Sequence, residues 1–270
     1  DWSSDVCSSD LDSTVLEYIG YTMSEPFDAH LWMPCYDDPS DKATSEIHIT
    51  VPVGFTAASN GTLDSVTQFS GMITYHWSEQ YPIATYLMCI TASKYSTFSQ
   101  FYHKVTNPAD SAEVKCYMWR QDSAGTKFNA VQAFSKVTKM MSVYSQLYGE
   151  YPFEKYGMAA AYPFMFGGME HQTMTTINRT WVTGTRSAEN GVAHELAHQW
   201  WGDMVTCRDF HHIWLNEGFA TYGEALWAEA TGGASAYHAD IDLNRYLGPG
   251  SVWVPDATDE ARVFNSDRKS

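Results

Sequence analysis

Hydrophobic and polar residues alternate along short segments in the first hundred residues of the chain. Ile47, Ile49 and Val51 alternate with His48 and Thr50. A period of two residues places the three apolar side chains on one face of an extended segment and the two polar side chains on the other. This pattern predicts a strand with one buried face.

Further segments in this region extend the β pattern. Residues 72–77 and 84–91 are rich in aromatic and β-branched side chains, which favour strands. The dipeptide Asn60-Gly61 is typical of a tight turn, so we expect a hairpin within residues 55–63. The first hundred residues are therefore predicted to form antiparallel β-sheet.

The periodicity becomes helical after Asn107-Pro108 and a strand-like segment at residues 114–119. Within residues 128–147, apolar side chains recur every three or four positions, as they do along one face of an amphipathic helix. They are Phe128, Val131, Phe134, Val137, Met140, Met141, Tyr144 and Leu147. We therefore predict one continuous helix over this range.

Two further helices are predicted at residues 189–201 and 215–230, whereas residues 158–166 fit a buried strand or a loop. A β-rich part followed by a part that mixes helices and strands defines the α+β class. We therefore predict an N-terminal β domain at residues 12–107 and a second domain at residues 108–266.

The two ends of the chain read as translated sequencing adapter. Residues 1–11, DWSSDVCSSDL, and residues 267–270, DRKS, correspond to opposite strands of one adapter sequence. We therefore expect both segments to be artefacts, and the natural segment to run from about residue 12 to residue 266 as a fragment of a longer protein.

The composition is that of a folded, acidic protein. Hydrophobic residues make up 44% of the 270 residues and charged residues 18%, which is unlike a disordered chain. The formal net charge of -16 repels polyphosphate, so we expect no nucleic-acid partner. The longest uncharged and apolar-rich stretch, residues 157–169, is shorter than the roughly 20 residues of a membrane span. The acidic, lysine-poor composition favours an exported protein, periplasmic or secreted, over a cytoplasmic one, and it leaves the oligomeric state open.

Residues 194–198 read H-E-x-x-H. Side chains four positions apart project from one face of a helix, so the imidazoles of His194 and His198 converge. Glu217 follows His198 with eighteen residues between them, and it opens the next predicted helix. Two histidines and one glutamate are the protein ligands of a hydrolytic zinc site. We therefore predict one zinc ion at these three residues.

Glu195 lies beside the first histidine and is placed to act as the general base that takes a proton from zinc-activated water. Asp203 and Glu224 are candidates to orient the two imidazoles through hydrogen bonds. The alternative interpretation is a helix with two solvated histidines and an incidental acid.

These residues and the surrounding strings HELAHQWWGD and NEGFATY resemble the gluzincin zinc aminopeptidase family of the aminopeptidase N and leukotriene hydrolase type. The string GGMEH at residues 167–171 is similar to the exopeptidase motif of that family, and PCYDDP at residues 34–39 is similar to its N-terminal domain. The resemblance implies a saddle-like β-sheet domain followed by a thermolysin-like zinc metallopeptidase catalytic domain, truncated in this chain.

The resemblance also implies a substrate site for peptides with a free N-terminus. Glu170 matches the glutamate that binds the α-ammonium group, and Gly167, Gly168 and Met169 precede it as the strand edge along the peptide. Glu25 falls where relatives place a second acid or amide at the amine site. Two carboxylates around one ammonium group would fix the scissile bond next to the metal.

Two features differ from the pattern of that family. His171 stands where the better-known motif has asparagine. It keeps a hydrogen-bond donor but has an unperturbed pKa of about 6.5, so we expect substrate binding to weaken below neutral pH. The family's oxyanion-stabilising tyrosine would fall beyond residue 270, so we expect low activity from this fragment.

The interpretation that follows is a zinc-dependent aminopeptidase that removes the N-terminal residue from peptides. An epoxide hydrolase of the same family and a non-catalytic peptide-binding protein are the alternatives. The presence of Glu195 favours an enzyme, because a protein that only binds peptides needs no proton acceptor beside the metal.

Overall fold

The computed structural model describes residues 18–264, so the predicted adapter segments 1–11 and 267–270 lie outside the described residues. The strands are β1 (Ile19–Tyr21), β2 (Ala43–Pro52), β3 (Thr56–Ser59), β4 (Thr62–Phe69), β5 (Met72–Ile83), β6 (Ile90–Ser93), β7 (Tyr95–His103), β8 (Ser111–Trp119), β9 (Lys155–Ala161), β10 (Gly168–Met169) and β11 (Met174–Asn178). The α-helices are α1 (Arg120–Ser123), α2 (Ala130–Ala133), α3 (Val137–Tyr148), α4 (Glu189–Ala197), α5 (Trp214–Asn244) and α6 (Glu260–Val263). Short 3-10 helices lie at Ala29–Leu31, Thr85–Leu87, Arg179–Trp181 and Phe210–His212.

The N-terminal part contains two three-stranded antiparallel sheets, ordered β1-β6-β3 and β2-β5-β4. In β2, Ile49 and Val51 are buried while His48 and Thr50 are exposed, which confirms the predicted one-sided strand. The strand predicted at residues 84–91 is wrong in part, because its first half is the 3-10 helix and β6 begins only at Ile90.

The turn at Asn60-Gly61 does not close a hairpin, contrary to the sequence prediction. Strand β3 before it pairs with β6, whereas β4 after it pairs with β5, so the turn carries the chain from one sheet to the other. Gly61 has a φ of +71°, and a Cβ atom there would lie 1.9 Å from the backbone oxygen of Ser78. The glycine is required for this close crossing as well as for the turn.

The second part is built on a five-stranded sheet in the order β10-β11-β9-β8-β7. The central strands β8, β9 and β11 are parallel, and both edge strands are antiparallel to their neighbours. Strand β7 pairs with β8 along its whole length, so it belongs to this sheet. The domain boundary predicted between residues 107 and 108 lies in the connection between these two paired strands, and it stays a prediction. The predicted α+β class with an N-terminal β-sheet domain is confirmed.

The helix predicted at residues 128–147 is interrupted. The side chain of Asn129 accepts a hydrogen bond from the backbone N–H of Gln132 and starts the short helix α2, and α3 begins only at Val137. Such a cap defines a helix start inside the apolar pattern. Val131 and Leu147 are exposed, although the pattern predicts them on the buried face.

Helices α3, α4 and α5 pack together, and α4 also contacts strand β10. A Cβ atom at Gly223 would lie 2.7 Å from the Cβ of Ala197, so the glycine permits the close approach of α5 to α4. Helix α5 continues past the predicted end at residue 230, with a kink at Gly233. Among residues 18–264, no helix combines the length and the apolar character needed to cross a membrane.

The two parts of the chain meet through buried hydrogen bonds near the turn at residues 60 and 61. The Asn60 amide donates to the backbone oxygens of Leu87 and Gln172, at 3.0 and 2.6 Å. The backbone N–H of Gly61 donates to the hydroxyl of Thr173 at 2.8 Å. These contacts hold the N-terminal sheets against the loop that precedes β11.

Candidate metal centre

Helix α4 brings two imidazoles together at its C-terminal end. His194 lies in the last turn of the helix and His198 directly follows it. Their Nε2 atoms are 3.0 Å apart, and His198 is buried. The spacing of four residues therefore has the effect predicted from the sequence, because both rings project toward one point.

Glu217 in the first turn of α5 supplies a carboxylate at the same point. Its Oε2 atom lies 3.3 Å from Nε2 of His194. One candidate ligand atom from each of Glu217, His194 and His198 lies within 4.8 Å of the others. Among residues 18–264, these are the three His, Cys, Asp or Glu side chains that form such a group. The structure thus brings together the three residues predicted to bind metal.

The Nδ1 atoms of both histidines face oxygen acceptors. His194 donates to Oε1 of Glu224 at 2.9 Å, and His198 donates to the backbone oxygen of Trp201 at 3.0 Å. Each ring then carries its proton on Nδ1 and presents the lone pair of Nε2 to the other ring. Two lone pairs and a carboxylate that converge in this way fit a cation. Glu224 thus occupies the orienting position expected of it, whereas Asp203 accepts a hydrogen bond from the Gln199 amide.

The electrostatic surroundings also favour positive charge at this point. Burial lowers the pKa of His194, but hydrogen bonds to Glu217 and Glu224, together with the charges of Glu217 and Glu195, outweigh burial and raise the pKa to about 10. A group of carboxylates that stabilises a proton so strongly also suits a divalent metal ion, which takes the place of that proton on the imidazole. The residues present therefore fit zinc.

Glu195 is buried beside the two histidines and directly against Gly168 of β10. A Cβ atom at Gly168 would lie 2.5 Å from Cδ and 2.6 Å from Oε1 of Glu195. No larger residue fits at position 168 without displacing this carboxyl group. The glycine in the predicted substrate strand therefore makes room for the predicted general base.

Gly167 has a different function in the packing. A Cβ atom there would lie 1.8 Å from the Trp181 ring, and a Cβ atom at Gly191 of α4 would lie 2.4 Å from the same ring. The indole fills the space between the start of β10 and helix α4. The two glycines therefore allow one aromatic side chain to hold the strand at a fixed distance from the helix that carries the histidines.

A cavity of about 500 Å³ opens over the three convergent side chains. Five carboxylates line it: Glu25, Glu170, Glu195, Glu217 and Glu224. Apolar side chains also contribute to the wall, and these are Met23, Phe166, Met169, Trp181, Leu243 and Phe264. Within the described part of the chain, no lysine or arginine lines the cavity. Its charge therefore selects for cationic groups.

Glu170 and Glu25 reach this cavity from different parts of the fold. Glu170 follows β10, and Glu25 comes from the N-terminal part; both are buried. Burial, and after it the charges of Glu195 and Glu217, raise the pKa of Glu170 to about 8. A cation bound beside Glu170 would oppose that shift and keep the carboxylate ionised.

His171 lies elsewhere, contrary to the expectation from its place in the motif. Its side chain is fully buried, does not line the cavity, and lies 3.0 Å through Nδ1 from the hydroxyl of Thr176. Burial lowers its pKa to about 3. The expected titration near pH 6.5 is therefore wrong, because the surroundings keep the imidazole neutral across that range.

Several contributors to the site were missed by the sequence analysis. The backbone oxygen of Trp201 carries no side-chain signal, and Phe264 reaches the cavity from a distant segment. Gln199 is buried and bonds to the backbone of Glu170 and Thr173. Its position directly after the second histidine was the available signal, since a residue there must face either the core or the site.

Two family models match this chain. The Peptidase M1 N-terminal domain matches residues 11–87, and the Peptidase family M1 domain matches residues 132–262. Together they cover well over half of the sequence. The two matches follow the order of the β-sheet part and the mixed part of the structure.

Similar proteins of known identity are longer than this chain. Aminopeptidase M1-A of Oryza sativa subsp. japonica is 32% identical over 219 residues, which are 77% of this chain and 24% of that protein. Endoplasmic reticulum aminopeptidase 1 of Homo sapiens is 31% identical over 244 residues, which are 86% of this chain and 24% of that protein. The chain thus spans about a quarter of the length of these relatives.

A solved structure shares the fold. The M1 zinc metallopeptidase of Deinococcus radiodurans aligns with a TM-score of 0.75 and 31% identity, over 93% of this chain and 55% of that chain. A mutant of that enzyme was solved with a Tyr-Ser-Ala substrate. The family models, the relatives and the shared fold agree with the geometry of the site, and the chain belongs to peptidase family M1.

Proposed function

We propose that this chain contains the zinc-binding and amine-binding residues of an aminopeptidase that removes N-terminal residues from peptides. One observation carries the proposal. The candidate zinc ligands and Glu195 line the same cavity as Glu170 and Glu25, and no lysine or arginine among the described residues lines it. The names of the relatives, which are aminopeptidases, support the same activity.

One zinc ion would be held by His194, His198 and Glu217. When bound, zinc supplies a Lewis acid that polarises the scissile carbonyl and lowers the pKa of water. Glu224 and the backbone oxygen of Trp201 keep both Nδ1 atoms protonated, so both Nε2 lone pairs remain available.

Glu195 is the residue in position to accept the proton from the attacking water. It is buried, it lines the cavity, and Gly168 leaves space for its carboxyl group. A general base acts only within hydrogen-bond reach of the proton it removes, so the location of Glu195 next to the ligand histidine is essential to the proposal. After bond cleavage, the same carboxyl group can return the proton to the leaving amine.

Glu170 and Glu25 would bind the free α-ammonium group of the peptide. Both carboxyl groups are buried, and a buried ion pair with an ammonium group is far stronger than a pair in water. An ammonium group is the one positive charge common to the N-termini of peptides. Its capture here would place the first peptide bond next to the metal and exclude internal peptide bonds.

The decisive experiment compares Glu195→Gln with Glu229→Gln, since Glu229 is an exposed glutamate on helix α5 that does not line the cavity. We expect Glu195→Gln to keep about one zinc per chain and its affinity for a free-amine peptide, and to lose at least about 100-fold in hydrolysis. Glu229→Gln is expected to match the unsubstituted protein.

Other outcomes would favour the alternatives. Unchanged hydrolysis in Glu195→Gln would reject the proposed mechanism. Peptide binding without hydrolysis in the unsubstituted full-length protein, at full zinc occupancy, would indicate a peptide-binding protein. Turnover of an epoxide in preference to a peptide would indicate an epoxide hydrolase.

A further inference from the structure

Gln199 is a fully buried amide whose hydrogen-bonding groups all have partners. Its Oε1 atom accepts from the backbone N–H of Thr173 at 2.9 Å and from the hydroxyl of Tyr151 at 3.3 Å. Its Nε2 group donates to the backbone oxygen of Glu170 at 3.2 Å and to Oδ2 of Asp203 at 2.6 Å. Because two acceptors face one end and two donors the other, the orientation of the amide is determined.

These bonds connect two parts of the site that are far apart in the sequence. Gln199 directly follows His198, whereas Glu170 and Thr173 belong to the loop between β10 and β11. The loop carries the carboxylate proposed to bind the peptide amine. Gln199 therefore links the loop that carries this carboxylate to the histidine end of α4.

The loop is held firmly at its other contacts. Thr173 has a φ of +62°, which is uncommon for a residue with a side chain. Its backbone oxygen accepts from the Lys155 ammonium at 2.8 Å, and its hydroxyl accepts from the backbone of Gly61. The backbone carbonyl of Glu170 itself is bonded to Gln199. This bond therefore restrains the start of a loop whose end is already fixed.

Asp203 and Lys42 hold the amide from the opposite side. The buried Asp203 carboxylate receives the Nε2 group of Gln199, and its backbone N–H donates to the oxygen of His198 at 3.0 Å. Lys42, from the N-terminal part, donates to the backbone oxygen of Asp203 at 2.6 Å. The Gln199 amide is thus held between the loop and Asp203, and Asp203 itself bonds to His198 and to Lys42 of the N-terminal part.

We infer that Gln199 is a positioning residue for amine recognition: it holds Glu170 at the distance from the metal ligands at which a free N-terminus is selected. This inference rests on the proposed function. Gln199 does not line the cavity, and it acts through the backbone of Glu170. A shift of about 1 Å in the Glu170 carboxylate is enough to weaken its contact with a bound ammonium group. Loss of the bond between Gln199 and Glu170 is therefore expected to reduce recognition of the free amine while the protein still folds.

The test measures discrimination rather than turnover. Leu-Gly-Gly and its N-acetyl analogue are titrated into the zinc-loaded protein, and the ratio of their dissociation constants reports recognition of the free amine. The variants are Gln199→Met, which keeps the length of the side chain and removes both donors, and Gln199→Glu, which keeps its shape and also removes both donors. Tyr151→Phe is the matched control, because it removes one bond to Oε1 and leaves both donors.

We expect both Gln199 variants to keep their zinc and to lose about tenfold in the ratio, chiefly through weaker binding of the free-amine peptide. Tyr151→Phe should lower thermal stability and leave the ratio unchanged.

Three results would overturn the inference. The first two are an unchanged ratio of dissociation constants in the Gln199 variants and an equal loss of affinity for both peptides, which would assign Gln199 to general packing. The third is loss of zinc, which would assign Gln199 to positioning of the helix that carries the metal ligands. If the unsubstituted protein itself fails to discriminate, the proposed amine site is wrong, which is a different failure. If one of the two Gln199 variants does not fold, the other provides the test, because an apolar and a charged substitution destabilise a protein for different reasons.

Discussion

The side chain of Glu195 leaves no room for a side chain at Gly168: a Cβ atom on Gly168 would lie 2.5 Å from Cδ of Glu195. The contact joins the strand proposed to bind the peptide to the residue proposed to move the proton. Because the affected atoms are at the end of a flexible side chain, the conflict is relieved by moving the carboxyl group and not by moving the backbone.

Gly168→Ala therefore separates catalysis from folding. We expect the variant to fold and to bind zinc normally, and to lose about 10- to 100-fold in hydrolysis because Glu195 is displaced. The measurements are zinc content, thermal stability and the rate of peptide hydrolysis. Gly184→Ala is the control, since a Cβ atom there makes only an ordinary contact at 3.6 Å. Equal rates in the two variants would show that the carboxyl group has room to stay in place.

Glu224 offers a test of the metal centre that needs no turnover. Glu224→Ala removes the acceptor 2.9 Å from Nδ1 of His194 and should lower zinc affinity about 10- to 100-fold. Competition with a zinc chelator measures the change. Glu229→Ala on the same helix controls for the loss of an acid, because Glu229 is exposed and outside the cavity. Identical zinc affinities in the two variants would exclude a role for Glu224.

The buried imidazole of His171 predicts a pH dependence of stability. Burial lowers its pKa from 6.5 to about 3 in the folded protein, so below pH 6.5 the unfolded chain takes up the proton first. Stability attributed to this residue is complete above pH 6.5 and is lost as the pH falls toward 3. Between pH 6.5 and pH 5 the free energy of unfolding should decrease by about 2 kcal/mol from this residue alone.

His171→Asn should abolish that contribution. Chemical denaturation at pH 8 and pH 5 measures the difference, and the variant is expected to lose less stability on acidification than the unsubstituted protein. His238→Asn provides the comparison because His238 is exposed on α5. If the two variants and the unsubstituted protein lose the same free energy, the imidazole does not stay neutral in the fold.

Gly61 and Gly71 form a matched pair for the crossing between the N-terminal sheets. Both have positive φ, but a Cβ atom at Gly61 would strike the Ser78 backbone at 1.9 Å, whereas one at Gly71 meets nothing within 4 Å. Gly71→Ala should cost about 1 kcal/mol for the backbone conformation alone. Gly61→Ala should cost about 3 kcal/mol or more, because a backbone atom has to move. Similar costs, measured by chemical denaturation, would contradict the assigned close approach.

The convergence of the metal-binding side chains was predictable because it depends on helix geometry. The spacing of His194 and His198 determines that they share a face, and Glu217 opens the next helix. The interruption of the helix at residues 134–136 was not predictable from the same kind of pattern. Periodicity records which positions are apolar, but Asn129 decides where the helix starts through one side-chain cap.

The remaining differences concern contacts that residue identity does not encode. His171 has the hydrogen-bonding groups expected of a substrate-binding residue, yet its ring packs inward against Thr176. The acceptor of His198 is a backbone oxygen, which every residue possesses. Assigning either required knowledge of where the loop between β10 and β11 and the loop after α4 lie in space.

The buried contacts of Asn60 and Gly61 across the domain junction restrict how this protein can exchange parts with its relatives. The Asn60 amide donates across the junction to the backbone oxygen of Gln172, and every residue has such an oxygen. A second domain from another gene would therefore provide this acceptor whatever residue it has at position 172. Gly61 donates to the hydroxyl of Thr173, so that position must arrive with a hydroxyl. Recombination at this junction should therefore cost least stability between genes that share threonine or serine at position 173, because any other residue there leaves the buried N–H of Gly61 without this acceptor.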